Sequence, residues 1–258
     1  MIRLFTSCYP EKDPARRAEL TYSLEKNLSS STLDAVYVFL EGIETAWSIS
    51  PRLNAMPILH RPRYSDFFGW ANELRGSDDD VAIIANSDIF FDSSLTILAE
   101  RLKPNQCVAL SRWDLHSDGH SKLFDRNDSQ DVWVFKGRIR PVVADFCVGI
   151  PRCDNRILHE LRAVGYEVIN PAFSVRAFHL HEGERAEYSA QIEGLHVDPP
   201  YAYLWPHNLY SLPATVIHRL CHPDSTLGWR FDWRKLQRTV LCRVWKKVKR
   251  QLTVSSRQ

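Results

Sequence analysis

Apolar residues in this chain come in two spacings. Continuous apolar runs occur in "IRLFTSCYP" (2–10), "LDAVYVFLEG" (33–42), "VAIIANSDIFF" (81–91) and "QCVALSRW" (106–113), with a short one in "PILHRP" (57–62). Between them lie segments with helical periodicity. "DPARRAELTYSLEKNLSS" predicts a helix with Asp13 as cap and Pro14 in its first turn. "SDFFGWANELRG" predicts a second, capped by Ser65 and stopped by Gly76, and "SSLTILAERLK" a third. Continuous apolar strands alternating with helices predict a mostly parallel sheet covered on both faces, an α/β fold of doubly wound character. Beyond Trp113 the pattern loosens. "DLHSDGHSKLFDRNDSQ" reads as a polar loop, "DVWVFKG" as a short strand, and "CDNRILHELRAVGYEV" as a helix entered through Asp154 and closed by Gly165.

In such sheets ligands bind beyond the carboxyl ends of the strands. Thr6 and Ser7 end the first strand, and Asn86, Ser87 and Asp88 end the fourth. A carboxylate driven to a strand end by so apolar a run either meets water or faces a cation or substrate. Asp88 can bind a divalent cation that holds a diphosphate, or cap the next helix; Asp92, beside Ser93 and Ser94, has the same two readings. "HLHEGER" places His179 and His181 on one face of a strand, either as a metal-binding pair or as two satisfied histidines. In "DFCVGIPRCDNRI", Asp145 can serve as a general base, and Asp154 can bind an acceptor hydroxyl or cap a helix. Asp131 stands at the mouth of a short strand as a loop carboxylate.

Composition narrows the class. The 258 residues are 44% hydrophobic and 25% charged, ordinary for a globular chain. No run is long enough to span a bilayer, and the first residues contain no apolar signal core, so a cytoplasmic location is expected. The six cysteines include no CxxC pair and predict reduced thiols rather than a disulfide framework or zinc knuckle. The net charge of +2 hides an asymmetry: 226–258 holds ten basic residues and one acidic, the remainder 23 basic and 30 acidic. An acidic body argues against nucleic acid as partner. The tail "GWRFDWRKLQRTVLCRVWKKVKRQL" reads as an amphipathic helix with aromatics on one face and Lys/Arg on the other. It suits an anionic membrane surface, placing the protein peripherally at the inner face, or a dock on the acidic body. Three parts are expected: 1–195 as the α/β domain, 196–225 as a Pro/aromatic-rich linker or acceptor-site segment, and 226–258 as the basic helix.

The set "YSDFFGWANEL", "VAIIANSDIFFD", "ALSRW", "SQDVWVFKG", "DFCVGIPRCDNRI" and "GYEVINPAFSVRAFHLHEGERAEY" resembles GT-A type nucleotide-sugar glycosyltransferases of the bacterial polysaccharide kind, over Ile2 to Tyr188. The resemblance implies a Rossmann-like GT-A fold and transfer of a sugar from a nucleotide-diphosphate donor to a glycan or lipid-linked acceptor. It also implies Mn²⁺ or Mg²⁺. The family's Asp-x-Asp element falls on Asn86, Ser87 and Asp88, with Asn86 replacing its first Asp, so Asp88 remains as direct ligand. The late histidine ligand falls on His179 or His181. Thr6 and Ser7 are implied to face the nucleotide, Arg61 and Asn72 to lie near the donor, and the region of Asp145 and Asp154 to face the acceptor. Two rivals remain. One is a catalytically inactive, membrane-associated glycan-binding scaffold. The other is a nucleotidyltransferase, disfavoured because "FTSCYPEKDPARR" lacks a glycine-rich loop.

Overall fold

The computed structural model describes residues 1–180 and 196–234. A seven-stranded sheet runs in the order β10-β6-β9-β4-β1-β2-β3. It comprises β1 (Ile2–Cys8), β2 (Ala35–Glu41), β3 (Leu53–Ile58), β4 (Val81–Ala85), β6 (Gln106–Leu110), β9 (Val132–Lys136) and β10 (Glu167–Ile169). Only β9 runs against its neighbours, pairing antiparallel with β4 and β6. This is the mostly parallel α/β sheet that the apolar runs predict.

Both faces are covered. Along β4, Val81, Ile83 and Ala85 pack with Leu24 and Leu28 of α1 (Pro14–Ser29) and with Leu95 and Leu98 of α3 (Leu95–Arg101). The alternate residues Ala82 and Ile84 pack with Phe67 and Trp70 of α2 (Tyr64–Glu73) and with Ile157 and Leu161 of α4 (Cys153–Ala163). A strand buried on both sides cannot alternate polar with apolar, which is why "VAIIA" is continuous. Each fully buried side chain of this size contributes roughly 1.5–3 kcal/mol.

Several elements differ from the sequence expectation. The run 81–91 is two strands, not one. After Ala85 the chain turns through Asn86–Asp88, with the Ile89 N–H donating to the Asn86 carbonyl, and resumes as β5 (Ile89–Phe91) in another sheet. That second sheet, β5-β11-β7-β8, also takes β7 (Trp113–Leu115), which joins the last residue of the expected "QCVALSRW" strand to the start of the expected loop, and β8 (Ser121–Leu123) from the same loop. Its remaining member is β11 (Ala177–Leu180). Strand β3 lies four residues earlier than expected, because pairing with β2 fixes its register; Pro57 is tolerated because β3 is an edge. Helix α2 starts one residue before Ser65: Asp66 accepts from the Arg63 N–H at 2.7 Å. It ends at Glu73, short of Gly76. Helix α1 is capped as expected, with Asp13 accepting from the Ala15 N–H at 3.0 Å.

The segment from His196 lies along the body. Ala202 donates to the Asn155 carbonyl and His207 to that of Asn170, before α5 (Leu212–Cys221) forms within the expected linker. The five cysteines among the described residues are free thiols. No helix of the described residues is long and apolar enough to cross a membrane. Of the expected basic helix, residues 235–258 lie outside the described residues, as does His181.

Candidate functional site

A cavity of about 460 Å³ opens beyond the carboxyl ends of β1 and β4, where an α/β sheet collects ligands. Ser7, Asn86, Ser87, Asp88, Asp131 and Arg61 line it. Because β9 is antiparallel to β4, with Val132 opposite Ala85, its amino end carries Asp131 to the same rim. The Asn86 N–H donates to the Asp131 carbonyl at 3.1 Å. Its side-chain amide donates to the Asp131 carboxylate at 3.0 Å. The Ser7 and Ser87 hydroxyls stand 3.2 Å apart and tie the two strand ends together.

Asp88 belongs to a chain of alternating charges that spans both sheets. Arg16, in the first turn of α1, pairs with Asp88 at 2.6 Å and with the buried Glu19 at 2.7 Å. His179 sits on β11 opposite Asp114 of β7 and Ile89 of β5, so the second sheet carries it to Asp88. Its Nε2 is 3.3 Å from Asp88 and its Nδ1 is 3.2 Å from Asp114, with the ring 1% exposed. Arg112 closes the chain, 2.8 Å from Asp114 and 3.4 Å from Asp131.

These contacts set the charge states. Burial pushes the Asp88 carboxyl up, but the His179 and Arg16 contacts outweigh it and hold it far below the usual carboxylate range. Burial likewise opposes the Asp114 charge, yet His179 and Arg112 bring it down to about 2. His179 is raised: burial disfavours its charge, while hydrogen bonding to Asp114 and Asp88 favours it more strongly. Asp131 goes the other way, raised by burial and by the Asp88 charge against the opposing pull of Arg112. Asp154 is pushed up to about 7, first by burial and then by the Asp131 charge. It lies in the first turn of α4, reached through Arg152 at the left-handed φ of 69°, and accepts from the Cys153 thiol at 3.1 Å. A non-glycine residue held there signals a position the surroundings insist on.

The fold brings Ser7, Asn86, Ser87, Asp88, Asp131, Arg61 and His179 to one site. Thr6 is buried on β1, one residue short of the cavity lining. Asn72 is committed elsewhere: its amide exchanges hydrogen bonds with the Ile139 backbone at 3.0 and 2.8 Å, fixing the loop after β9. Asp145 is outside the cavity lining, 73% exposed and paired with Arg63. Asp92 does not cap α3, whose N-cap is Ser94; it braces the turn before the helix, accepting from the Ser94 N–H at 2.9 Å, and pairs with Arg176 at 2.7 Å. Sequence reasoning missed Arg16, Arg112, Asp114 and Glu41. Arg112 lies next to β7 and Asp114 on it, and that strand is three residues long, so no periodicity in the sequence marks them.

Asp88 and His179 meet as the metal reading requires, but their surroundings do not fit a cation held by the protein. Arg16 already occupies Asp88, and both His179 nitrogens face carboxylates. Asn86 turns its donor to Asp131. Among the described residues no three His, Cys, Asp or Glu side chains converge as a ligand set.

Arg61 is held on the opposite wall, donating to the Val148 carbonyl at 2.9 Å and the Gly149 carbonyl at 3.0 Å. Gly149 has φ 72°, and a Cβ there would stand 2.8 Å from the Arg61 guanidinium. Gly149→Ala is expected to cost about 1–2 kcal/mol of backbone strain and to push Arg61 off its carbonyls. A thermal midpoint lowered by several degrees is the result to look for; an unchanged midpoint would refute this account of the turn.

No protein-family model matches the chain, and no curated protein matches it. Among solved structures it is similar to the mannosyltransferase PcManGT of Pyrobaculum calidifontis, in complex with GDP-mannose and Mn²⁺, at 11% identity and a TM-score of 0.46. The match covers 72% of this chain, which spans 58% of that protein's length. It is also similar to a Francisella tularensis 2-C-methyl-D-erythritol 4-phosphate cytidylyltransferase, at 11% identity and a TM-score of 0.36, covering 52% of this chain and 72% of that one. A third similarity is to HddC of Yersinia pseudotuberculosis, at 8% identity and a TM-score of 0.35, covering 53% and 77%.

Proposed function

We propose that the protein is a glycosyltransferase that moves a sugar from a nucleotide-diphosphate donor to a glycan or lipid-linked acceptor. One observation carries the reading: the cavity at the carboxyl ends of the parallel strands is lined by a guanidinium, Arg61, and a carboxylate, Asp131, whose charge helps Asp154, just outside that lining, bind its proton unusually tightly. Glycosyl transfer with inversion needs both: positive charge for the departing nucleoside diphosphate, and a base for the acceptor hydroxyl.

In this mechanism the strand-end groups Ser7, Asn86 and Ser87 orient the donor. Asp154 takes the acceptor proton as the hydroxyl attacks the sugar carbon, while the bond to the diphosphate breaks. A group with a pKa of about 7 is well matched to that task near neutral pH. Asp131 keeps the proton affinity of Asp154 high through its charge. Arg61 meets the leaving diphosphate. Asp145, ion-paired at the surface, is proposed to lie on the acceptor side and take no proton.

Thermal unfolding against a panel of nucleoside diphosphates and nucleotide sugars tests the donor class. A native-state ligand at 100 times its Kd stabilises by about 2.7 kcal/mol. One base is expected to raise the midpoint by several degrees, and incubation with its sugar conjugate to release nucleoside diphosphate. Release of pyrophosphate from a nucleoside triphosphate and a sugar phosphate would indicate the nucleotidyltransferase instead. No shift and no release would leave the inactive scaffold.

A further inference from the structure

The resemblance places a metal ion at Asp88, and the structure places a guanidinium there. Arg16 is 2.6 Å from the Asp88 carboxylate and comes from the rigid first turn of a sixteen-residue helix, α1. Glu19, one turn on, fixes it at 2.7 Å. The imidazole of His179 flanks the same carboxylate. A divalent cation on that carboxylate oxygen would have to displace Arg16, whose guanidinium also pairs with the buried Glu19. Breaking a buried pair in that way is unfavourable.

A diphosphate beside an uncompensated Asp88 would be repelled. With Arg16 on Asp88 and Arg112 between Asp114 and Asp131, these three carboxylates are matched by cations from the protein itself, while Glu41 also lines the cavity. Arg61 differs from both. Its guanidinium donates to two backbone carbonyls, which orient it without neutralising it, and among the described residues it forms no ion pair. An oriented, uncompensated guanidinium on a cavity wall is suited to a phosphate oxygen pair.

We infer that the site binds the diphosphate of its donor without a divalent cation: Arg16 holds Asp88 in the metal's place, and Arg61 supplies the positive charge that meets the diphosphate. The inference rests on the nucleotide-donor reading for its ligand and deepens it.

The experiment is titration calorimetry of the whole chain with inorganic pyrophosphate, in EDTA and in Mn²⁺, and with Mn²⁺ alone. Pyrophosphate is expected to bind in EDTA within threefold of its affinity in Mn²⁺. Arg61→Ala, an exposed substitution, is expected to weaken it at least tenfold, and Arg61→Lys to restore part of the loss. Wild-type protein is expected to take up no Mn²⁺ at this site. Binding of pyrophosphate only with Mn²⁺ overturns the inference. So does Mn²⁺ uptake by the wild type that Asp88→Asn removes, an Arg61→Ala variant binding like wild type, or no pyrophosphate binding in either condition. Failure of the donor reading looks different: pyrophosphate binds in EDTA through Arg61, yet no nucleotide sugar is bound or turned over.

Discussion

Asp154→Asn is expected to lower the rate of sugar transfer by about 10²–10⁴-fold while leaving donor affinity within a few-fold of wild type. The carboxyl is raised to about 7 by burial and by the Asp131 charge, so wild-type activity should rise through neutral pH as it ionises. Asp131→Asn removes the repulsion, and the rising limb should move to lower pH. The same shift makes a stability prediction of definite sign. An acid whose native pKa lies above its unfolded value binds the proton more tightly when folded. Its contribution is therefore fully present below about pH 4 and is lost as pH rises through about 7. Asp154→Asn should thus be more stable than wild type at pH 8, by about 4 kcal/mol at most, and nearly equal at pH 4. Kinetics and urea unfolding at both pH values check this. Full activity in Asp154→Asn, or an Asp131→Asn limb moved to higher pH, would discard Asp154 as the base.

Arg112→Leu is expected to destabilise the fold by about 3–5 kcal/mol at pH 7, the usual cost of leaving buried charge unpaired. Arg112 is the shared partner of Asp114 and Asp131, and its guanidinium also lies 4.3 Å from the centre of the Phe124 ring. Without it, both carboxylates face only His179 and Asn86. The pH dependence separates a charge effect from lost packing. In the wild type the Asp114 contribution is present above its unfolded value and lost as pH falls through about 2. In the variant the carboxylates protonate more readily, so the deficit should shrink between pH 7 and pH 5. Arg112→Lys keeps the charge without the planar fork and should recover part of the loss. A deficit below 1 kcal/mol, or one independent of pH, would show that the charge chain contributes little to the fold.

Effects of this size arise because the site is built from residues far apart in sequence. The parallel core was legible in the chain because burial on both faces demands continuous apolar runs: "VAIIA" and "QCVAL" can be little else. Helix α1 was legible through Asp13 and Pro14, since its cap satisfies local backbone donors. Strands β5, β7, β8 and β11 are only three or four residues long, too short for a period to show. β11 joins β5 and β7 across long stretches of chain, setting Phe178 against Phe90 and Trp113, and only β8 pairs locally, with β7. The second sheet was therefore hidden, and with it the meeting of His179 with Asp88 and Asp114.

By itself the sequence determined the α/β class, most elements of the main sheet, and the strand ends at which Ser7, Asn86 and Asp88 collect, because these follow from burial and backbone geometry along short stretches. It also marked Arg61, Asp131 and Asp154. The tertiary structure alone decided which of these share a cavity, that Asn72 and Asp92 serve the scaffold, and that Asp88 is neutralised by Arg16 from another element. Those outcomes depend on distances between side chains on different strands and helices, and ion pairing and desolvation act through such distances.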